Sequence, residues 1–383
     1  MPRPYGGGMF KPTAIAVFAL LVTACAQQSA GVVPAGSNAS PLVAAQTMRD
    51  FAAPAKEFSI LKMLKKQVVI GSTIDPKLHQ LNPYGLTIAP ETAGAFQAGD
   101  LVVCNFNAKS NVQGTGYTIV ALHPTPGSTP TLVSDSKILR GCDALALGPT
   151  DDIWAADFSA DDNPVLSPAG SVEVDIKGKP FDRPWGQVYA QPASGTPAFY
   201  ESNAGNGTIV RINLGNSFTY DVIAKGFAVN HGKPGGIFGP SGLTYDPSVD
   251  TLYIVDGTND TVVAFKDVST IPAGGIVVGK DGTSFSGPSA GDARAVFSGK
   301  PLDGPISAAL LANGNVVVGN TGNPSGQNIM VELSPSGKVM DVRNVDKGAS
   351  GALFGIVATG TTAADSKVYF NDDNDNNLQV LER

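Results

Sequence analysis

Six short apolar runs in this 383-residue chain end in a side chain that offers oxygen: Asn105, Asp157, Asn203, Asp256, Asn320 and Asn371. Amide and carboxylate oxygens are hard donors. Gathered around one axis they would suit a hard cation such as Ca²⁺, which takes six to eight oxygen ligands. The same residue types also end strands with no ligand, because their side chains accept backbone N–H bonds and form turns. The residues alone leave both readings open. Asp143 favours the first: it stands near the start of an apolar run where the matching runs carry Gly or Ser, so it would point a carboxylate at a shared axis near Asp157 and Asp256. The three histidines (His79, His123, His231) form no H-x-x-x-H pair and the cysteines no C-x-x-C, so zinc is not indicated. There is no G-x-S-x-G elbow and no phosphate-binding loop between a strand and a helix. His231, in VNHGKPGG, is either a base on a loop or a solvated loop histidine. The acidic runs Asp161-Asp162-Asn163 and Asp372-Asp373-Asn374-Asp375 read as solvated loops. The second lacks the Gly and final Glu that a calcium loop requires.

Positioning such residues is the work of many short strands. Charged residues make up only 15% of the chain, while Gly (45) and Pro (28) are abundant, a turn-rich and charge-poor composition. The net charge of −7 argues against a nucleic-acid partner. The apolar runs recur in six units, roughly 40 to 65 residues apart at their anchors Gly85, Asp143, Gly186, Gly242, Ser307 and Gly355. Each unit has a strand opened by a small or turn residue, a second strand ending in Asn or Asp, and a third strand. Examples are PSGLTYD, TLYIVD and TVVAFKD from Pro240, Thr251 and Thr261. Alternating and wholly apolar runs rich in Val, Ile and Tyr are strand patterns. One such sheet leaves its faces exposed, and six around an axis cover one another.

The P-x-G opening and the strand ending in Asp or Asn resemble NHL-type six-bladed β-propellers and the wider superfamily of gluconolactonase and senescence-marker proteins. The resemblance spans about residues 62–383 and implies an all-β, six-bladed β-propeller. It also implies a metal held on the axis by carboxylate and Asn side chains, for which Asp143, Asn203 and Asp256 are the matching candidates, with Asn105, Asp157, Asn320 and Asn371 completing the rim. The sequence departs from the family where a Glu is expected at the opening of the first blade, since Tyr84-Gly85 stands there. That departure bears against lactonase activity. The sixth unit stops after its third strand, and QVVIGST (Gln67–Thr73) has no partner of its own. Pairing it with NLQVLE would close the ring and cover two strand edges. The meander places the strand-two ends and the longest loops on one face, which becomes the expected functional face. Cys104 and Cys142 fall on that same rim of adjacent blades, either as a disulfide or as two buried thiols. Trp154 and Trp185 lie in strand runs and are expected to pack between blades.

The amino terminus reads as an address. Arg3 and Lys11 precede an apolar run, PTAIAVFALLVT, too short to span a bilayer, where about 20 residues are needed. It fits a secretory signal peptide over residues 1–24. Leu21-Val22-Thr23-Ala24-Cys25 resembles a bacterial lipobox, which implies a lipid on Cys25 and a membrane attachment through it. Ala24-Cys25-Ala26 also fits ordinary secretion, and an uncleaved anchor is the third possibility. Residues 25–61, rich in Ala, Ser, Gly and Pro, have a tether composition. The absence of Asp after Cys25 points to the outer membrane if the cell is Gram-negative. Two functions are carried forward. One is an exported binding module that presents its loop-rich face to a protein, glycan or small ligand of the cell envelope. The other is a divalent-metal hydrolase or lactonase, with Ca²⁺ as the candidate ion.

Overall fold

The computed structural model describes residues 57–383 except 216, 323–326 and 350. Residues 1–24, Cys25 and nearly all of the tether lie outside the described residues. Within them the chain forms six sheets, each built on a four-stranded antiparallel meander, with three single-turn 3-10 segments as the described helical structure. The innermost strands are Leu81–Ile88, Cys142–Leu147, Pro184–Ala190, Pro240–Asp246, Pro305–Leu310 and Ile356–Thr359. Each lies beside the next, and the sixth lies beside the first, so the sheets close into a six-bladed propeller. Facing sheets bury a shared apolar layer. Val102 and Cys104 of blade one meet Leu145 and Ala155 of blade two. Tyr200 and Ile209 of blade three meet Ile254 and Val263 of blade four. The large aliphatic side chains among them each contribute roughly 1.5–3 kcal/mol on burial, and no single sheet could provide that cover for itself.

The strand Lys66–Ser72 pairs antiparallel with Asn377–Glu382 and becomes the fourth strand of blade six, as the unpartnered QVVIGST run predicts. Ahead of it, residues 57–61 are packed onto blade five, although their composition places them in the tether. Ile60, Leu61 and Leu64 are fully buried. The Glu332 carboxylate accepts the Ser59 hydroxyl and the N–H groups of Ile60 and Leu61, the last at 2.8 Å.

The reading of the two acidic runs as solvated loops is corrected. In blade two the third strand is Asp162–Leu166, and GSVEVDI supplies the fourth, Val172–Lys177. Asp162 and Asn163 are therefore buried strand residues and not a solvated loop. A tight turn after Asp157 sets Asp162 directly across from it, so the hairpin needs only four connecting residues. Asp372 is likewise buried at the end of its strand and accepts the Gln379 amide at 2.8 Å, whereas Asn374 and Asp375 are exposed as expected. The stretch 279–304 ahead of unit five carries the fourth strand of blade four, Ala293–Ser298.

Candidate functional site

The register of each inner pair fixes what reaches the axis. Pro83 faces Asn105, Cys142 faces Asp157, Pro184 faces Asn203, Pro240 faces Asp256 and Pro305 faces Asn320. One residue further along, every one of these strands bulges. Asp143 thus corresponds to Tyr84, Trp185, Ser241 and Ile306, and Ala144 takes the place of the glycines; the sequence alignment of Asp143 with the Gly anchors is off by one. The bulge position is where neighbouring blades approach most closely. A Cβ on Gly186 would strike the Ser241 carbonyl, and one on Gly355 would strike the Tyr84 carbonyl.

The six strand ends do share one rim, all fully buried. Their side chains serve the local chain. The Arg140, Asp182 and Asp303 N–H groups donate to Asp157, Asn203 and Asn320, at 2.8, 3.0 and 2.9 Å. In each case the donor lies two residues before the strand that opens the blade. Asp256 accepts the N–H groups of Thr258 and Asn259 and the Asn259 amide. Asn203 Nδ2 donates to Thr208, Asn105 Nδ2 to Thr73 and Thr118, and Asn371 Nδ2 to Tyr84 and Gly85. Asn203 and Asp256 are thus held in the turns of their own blades. Among the described residues, no three His, Cys, Asp or Glu side chains are placed to hold a metal ion. Of the three candidates Asp143, Asn203 and Asp256, the last two have their side-chain oxygens engaged in these hydrogen bonds.

At this rim the axis is closed. Tyr84 stacks on Phe106 and on Phe354, with centroids 4.2 and 3.7 Å apart, and Phe158 meets Phe106 and Trp185 edge-on. Offset and edge-on pairs of this kind add about 0.5–1.5 kcal/mol each beyond burial. Gln113 reaches across to Gly235 and receives the Tyr84 hydroxyl, so two loops lie over the plug. Trp154, by contrast, stacks on Phe199 between blades two and three. Cys104 and Cys142 form a disulfide joining blades one and two next to Asp143. His231 is exposed in the loop that carries Gly235.

Below the plug lies a cavity of about 50 Å³ lined by Tyr84, Asp143, Trp185, Ile306 and Phe354. Neither carboxylate oxygen of Asp143 has a hydrogen-bond partner. Burial, and then the Asp157 charge, hold this carboxyl well above the usual carboxylate range. A neck formed by Leu86, Leu145, Gln187, Leu243, Ala308 and Ile356 lines both this cavity and a wider funnel of about 450 Å³. The funnel is formed by the far ends of the inner strands and opens on the face opposite the long loops, past half-buried Ile88, Val188, Tyr189, Leu310 and Val357. The concave face is therefore not the loop-rich one expected from loop length. Loop length says where chain is abundant, whereas the taper of the inner strands decides which end of the axis stays open. Gln187 was not recognised in the sequence, nor were Glu201 and Glu332; a polar residue inside an otherwise apolar run (AFYESN, NIMVELS) is the signal that marks the last two.

The fold defines the class of the molecule: a six-bladed β-propeller closed by its N-terminal strand. No family model matches the chain, and no curated protein matches it. Among solved structures, a gluconolactonase from Xanthomonas campestris superimposes with a TM-score of 0.54 at 10% identity, covering 82% of this chain and 91% of that one. A virginiamycin B lyase from Staphylococcus aureus gives 0.48 at 11% identity, covering 82% and 98%. At these identities the likeness is one of fold.

Proposed function

We propose that this protein is a non-catalytic binding module of the bacterial cell envelope, exported and held by a lipid on Cys25, that takes a small, largely apolar ligand into its axial funnel. The observation that carries this reading is the funnel itself. It is in the size range of small-molecule sites, it is lined by aliphatic side chains from all six blades, and it ends on a few buried polar groups. An inward-facing Trp at the neck, Ala308→Trp, should abolish binding of a neutral apolar fluorophore by the purified domain while leaving its melting temperature within a few degrees of the parent. Equal binding by parent and variant would place the ligand elsewhere. Attachment is tested separately: Cys25→Ser should move the protein from the membrane to the soluble fraction.

A divalent-metal hydrolase or lactonase is the second reading, and it rests on the gluconolactonase fold likeness. It requires Asp143, Asn203 and Asp256 to converge, and two of the three are already engaged in turns. Melting in Ca²⁺ and then in EDTA separates the two readings, because an ion bound to the folded state raises stability by mass action. The binding-module reading expects no shift.

A further inference from the structure

Resting on the funnel reading above, we infer that the ligand is a short, uncharged, extended peptide whose amide groups pair with the inner strands. Every inner strand is the axial edge of its sheet and has a strand partner on its outer side alone. Three hydrogen bonds fix which way its peptide groups point. The N–H groups of Ala89, Gly148 and Leu311 turn outward. They donate to the carbonyls of Asp100, Asp152 and Asn315, the residues that lead into the second strands, at 2.9, 3.0 and 2.8 Å. Successive peptide groups of a strand point to opposite sides, so the N–H and C=O of Ile88, Leu147 and Leu310 turn to the axis. Two residues deeper, in the same unbroken registers, those of Leu86, Leu145 and Ala308 do the same. All six residues line the funnel.

These groups decide what the funnel can hold. Water satisfies them while the funnel is open, and a ligand that fills it must take over those hydrogen bonds or lose affinity. A hydrocarbon has nothing to offer them. A unit with one donor and one acceptor, repeated along an extended chain, matches a strand edge, and the secondary amide of a peptide is that unit. The aliphatic side chains of the neck and mouth receive small apolar side chains of the guest. Among the described residues that line the funnel, none is charged. A free terminus or a charged side chain would therefore lose its hydration there without gaining a partner. The guest is a blocked peptide or an internal segment. The wall spans Leu86–Ile88, Leu145–Leu147 and Ala308–Leu310 in these three blades. That is about 7–10 Å at roughly 3.3 Å per residue, room for about three residues of extended chain.

The experiment uses the purified mature protein and three probes, titrated calorimetrically at neutral pH. They are acetyl-Val-Ala-Val-N-methylamide, the same molecule with esters in place of its two internal amides, and the free zwitterion Val-Ala-Val. The blocked peptide should bind at least about tenfold more tightly than either of the others, because each lost donor leaves an acceptor of the wall unpaired. By NMR it should slow hydrogen exchange at Ile88, Leu147 and Leu310 and leave Ala89, Gly148 and Leu311, already bonded within their sheets, unchanged. Ala308→Trp should remove its binding. An ester analogue or a zwitterion that binds as tightly would overturn the peptide assignment and leave the funnel reading standing. So would an apolar fluorophore that binds where the blocked peptide does not. Peptide binding that survives in Ala308→Trp, or that protects none of the three axial N–H groups, would also overturn it. Binding by neither the fluorophore nor any of the three probes would overturn both readings.

Discussion

The buried acids govern how this protein responds to pH. Desolvation pushes Asp143, Asp157 and Glu201 well above their ordinary range. Burial and then Asp175 push Asp162 up to about 7, and burial and then Asp346 push Asp372 up to about 6. An acid with a raised folded pKa holds its proton more tightly in the native state than in the unfolded chain. Its contribution is therefore largest below the unfolded value, about 4, and is lost as pH rises through the folded value. For Asp162 and Asp372 the loss falls between about pH 4 and pH 7. Groups with lowered values, such as Asp281 at about 2, act in the opposite direction but only at lower pH, as pH falls from about 4. The melting temperature should thus decline from pH 5 to pH 8, and Asp162→Asn should flatten that decline. A melting temperature that climbs over this interval in the parent protein would contradict the assignment. At this scale the sequence was half informative. The six strand-ending Asp and Asn residues were legible because they follow apolar runs. Their roles were not, because a turn-former and a ligand look alike until the N–H two residues before the inner strand of the same blade is located. The one-residue error at Asp143 has a source too: the inner strands of blades one to five carry the same bulge, but Ala144 stands where the others have Gly or Ser, so the run offers no anchor to fix its alignment.

Elements were legible where apolar runs were uninterrupted and were missed where a polar residue was buried in one. DNPVL carries an Asp, an Asn and a Pro, and composition alone places it in a loop. It is a strand because Asp162 lies opposite Asp157 and Lys177, with the Lys177 ammonium 3.7 Å away, and because Asn163 is bonded by Gln187 of the next blade. The segment ahead of the closing strand follows the same logic. Residues 57–64 have no sheet partner. The Glu332 carboxylate holds their N–H groups, while the Asn313 and Asn315 amides donate to the Phe58 carbonyl, the Arg343 guanidinium to the Leu64 carbonyl, and Lys338 pairs with Glu57. Glu332 satisfies two backbone N–H groups and a hydroxyl, and it also accepts the Asn315 amide at 2.6 Å. Glu332→Ala leaves these donors buried without a partner, at about 1–3 kcal/mol for each one that water does not reach. Release of the segment is the cheaper outcome for the molecule, since Leu61 and Leu64 are its main apolar anchors. The expected result is protease cleavage between residues 57 and 65 in the variant under conditions that leave the parent intact, with the strands of blade five still protected. Cleavage spread evenly over the chain would mean that Glu332 supports the whole blade and not this strap.

Closure of the ring is the property on which the axial cavity depends, because its lining comes from six segments far apart in the chain. Three features secure it. The closing strand joins Lys66–Ser72 to Asn377–Glu382. Asn371 donates from blade six to the carbonyls of Tyr84 and Gly85 in blade one. The disulfide ties blade one to blade two on the same side of the axis. Only the first of these joins opposite ends of the sequence through a full strand ladder. Ile70, within it, is buried against Leu101, Val103 and Leu378, so the strand also supplies an apolar layer between blades six and one. A chain beginning at Thr73 would keep every other strand but expose the edge of Asn377–Glu382 and the apolar face beneath it. Exposed edges of this kind recruit a strand from another copy. The truncated protein is therefore expected to run as a dimer or larger species on size exclusion, to melt well below the parent, and to lose the funnel probe, whose site needs blades six and one in register. Addition of a synthetic peptide covering residues 66–72 should restore the monomer. A truncated protein that stays monomeric with an unchanged melting temperature would show that the blade-to-blade layers alone hold the ring, and that the terminal strand decorates a closure already made.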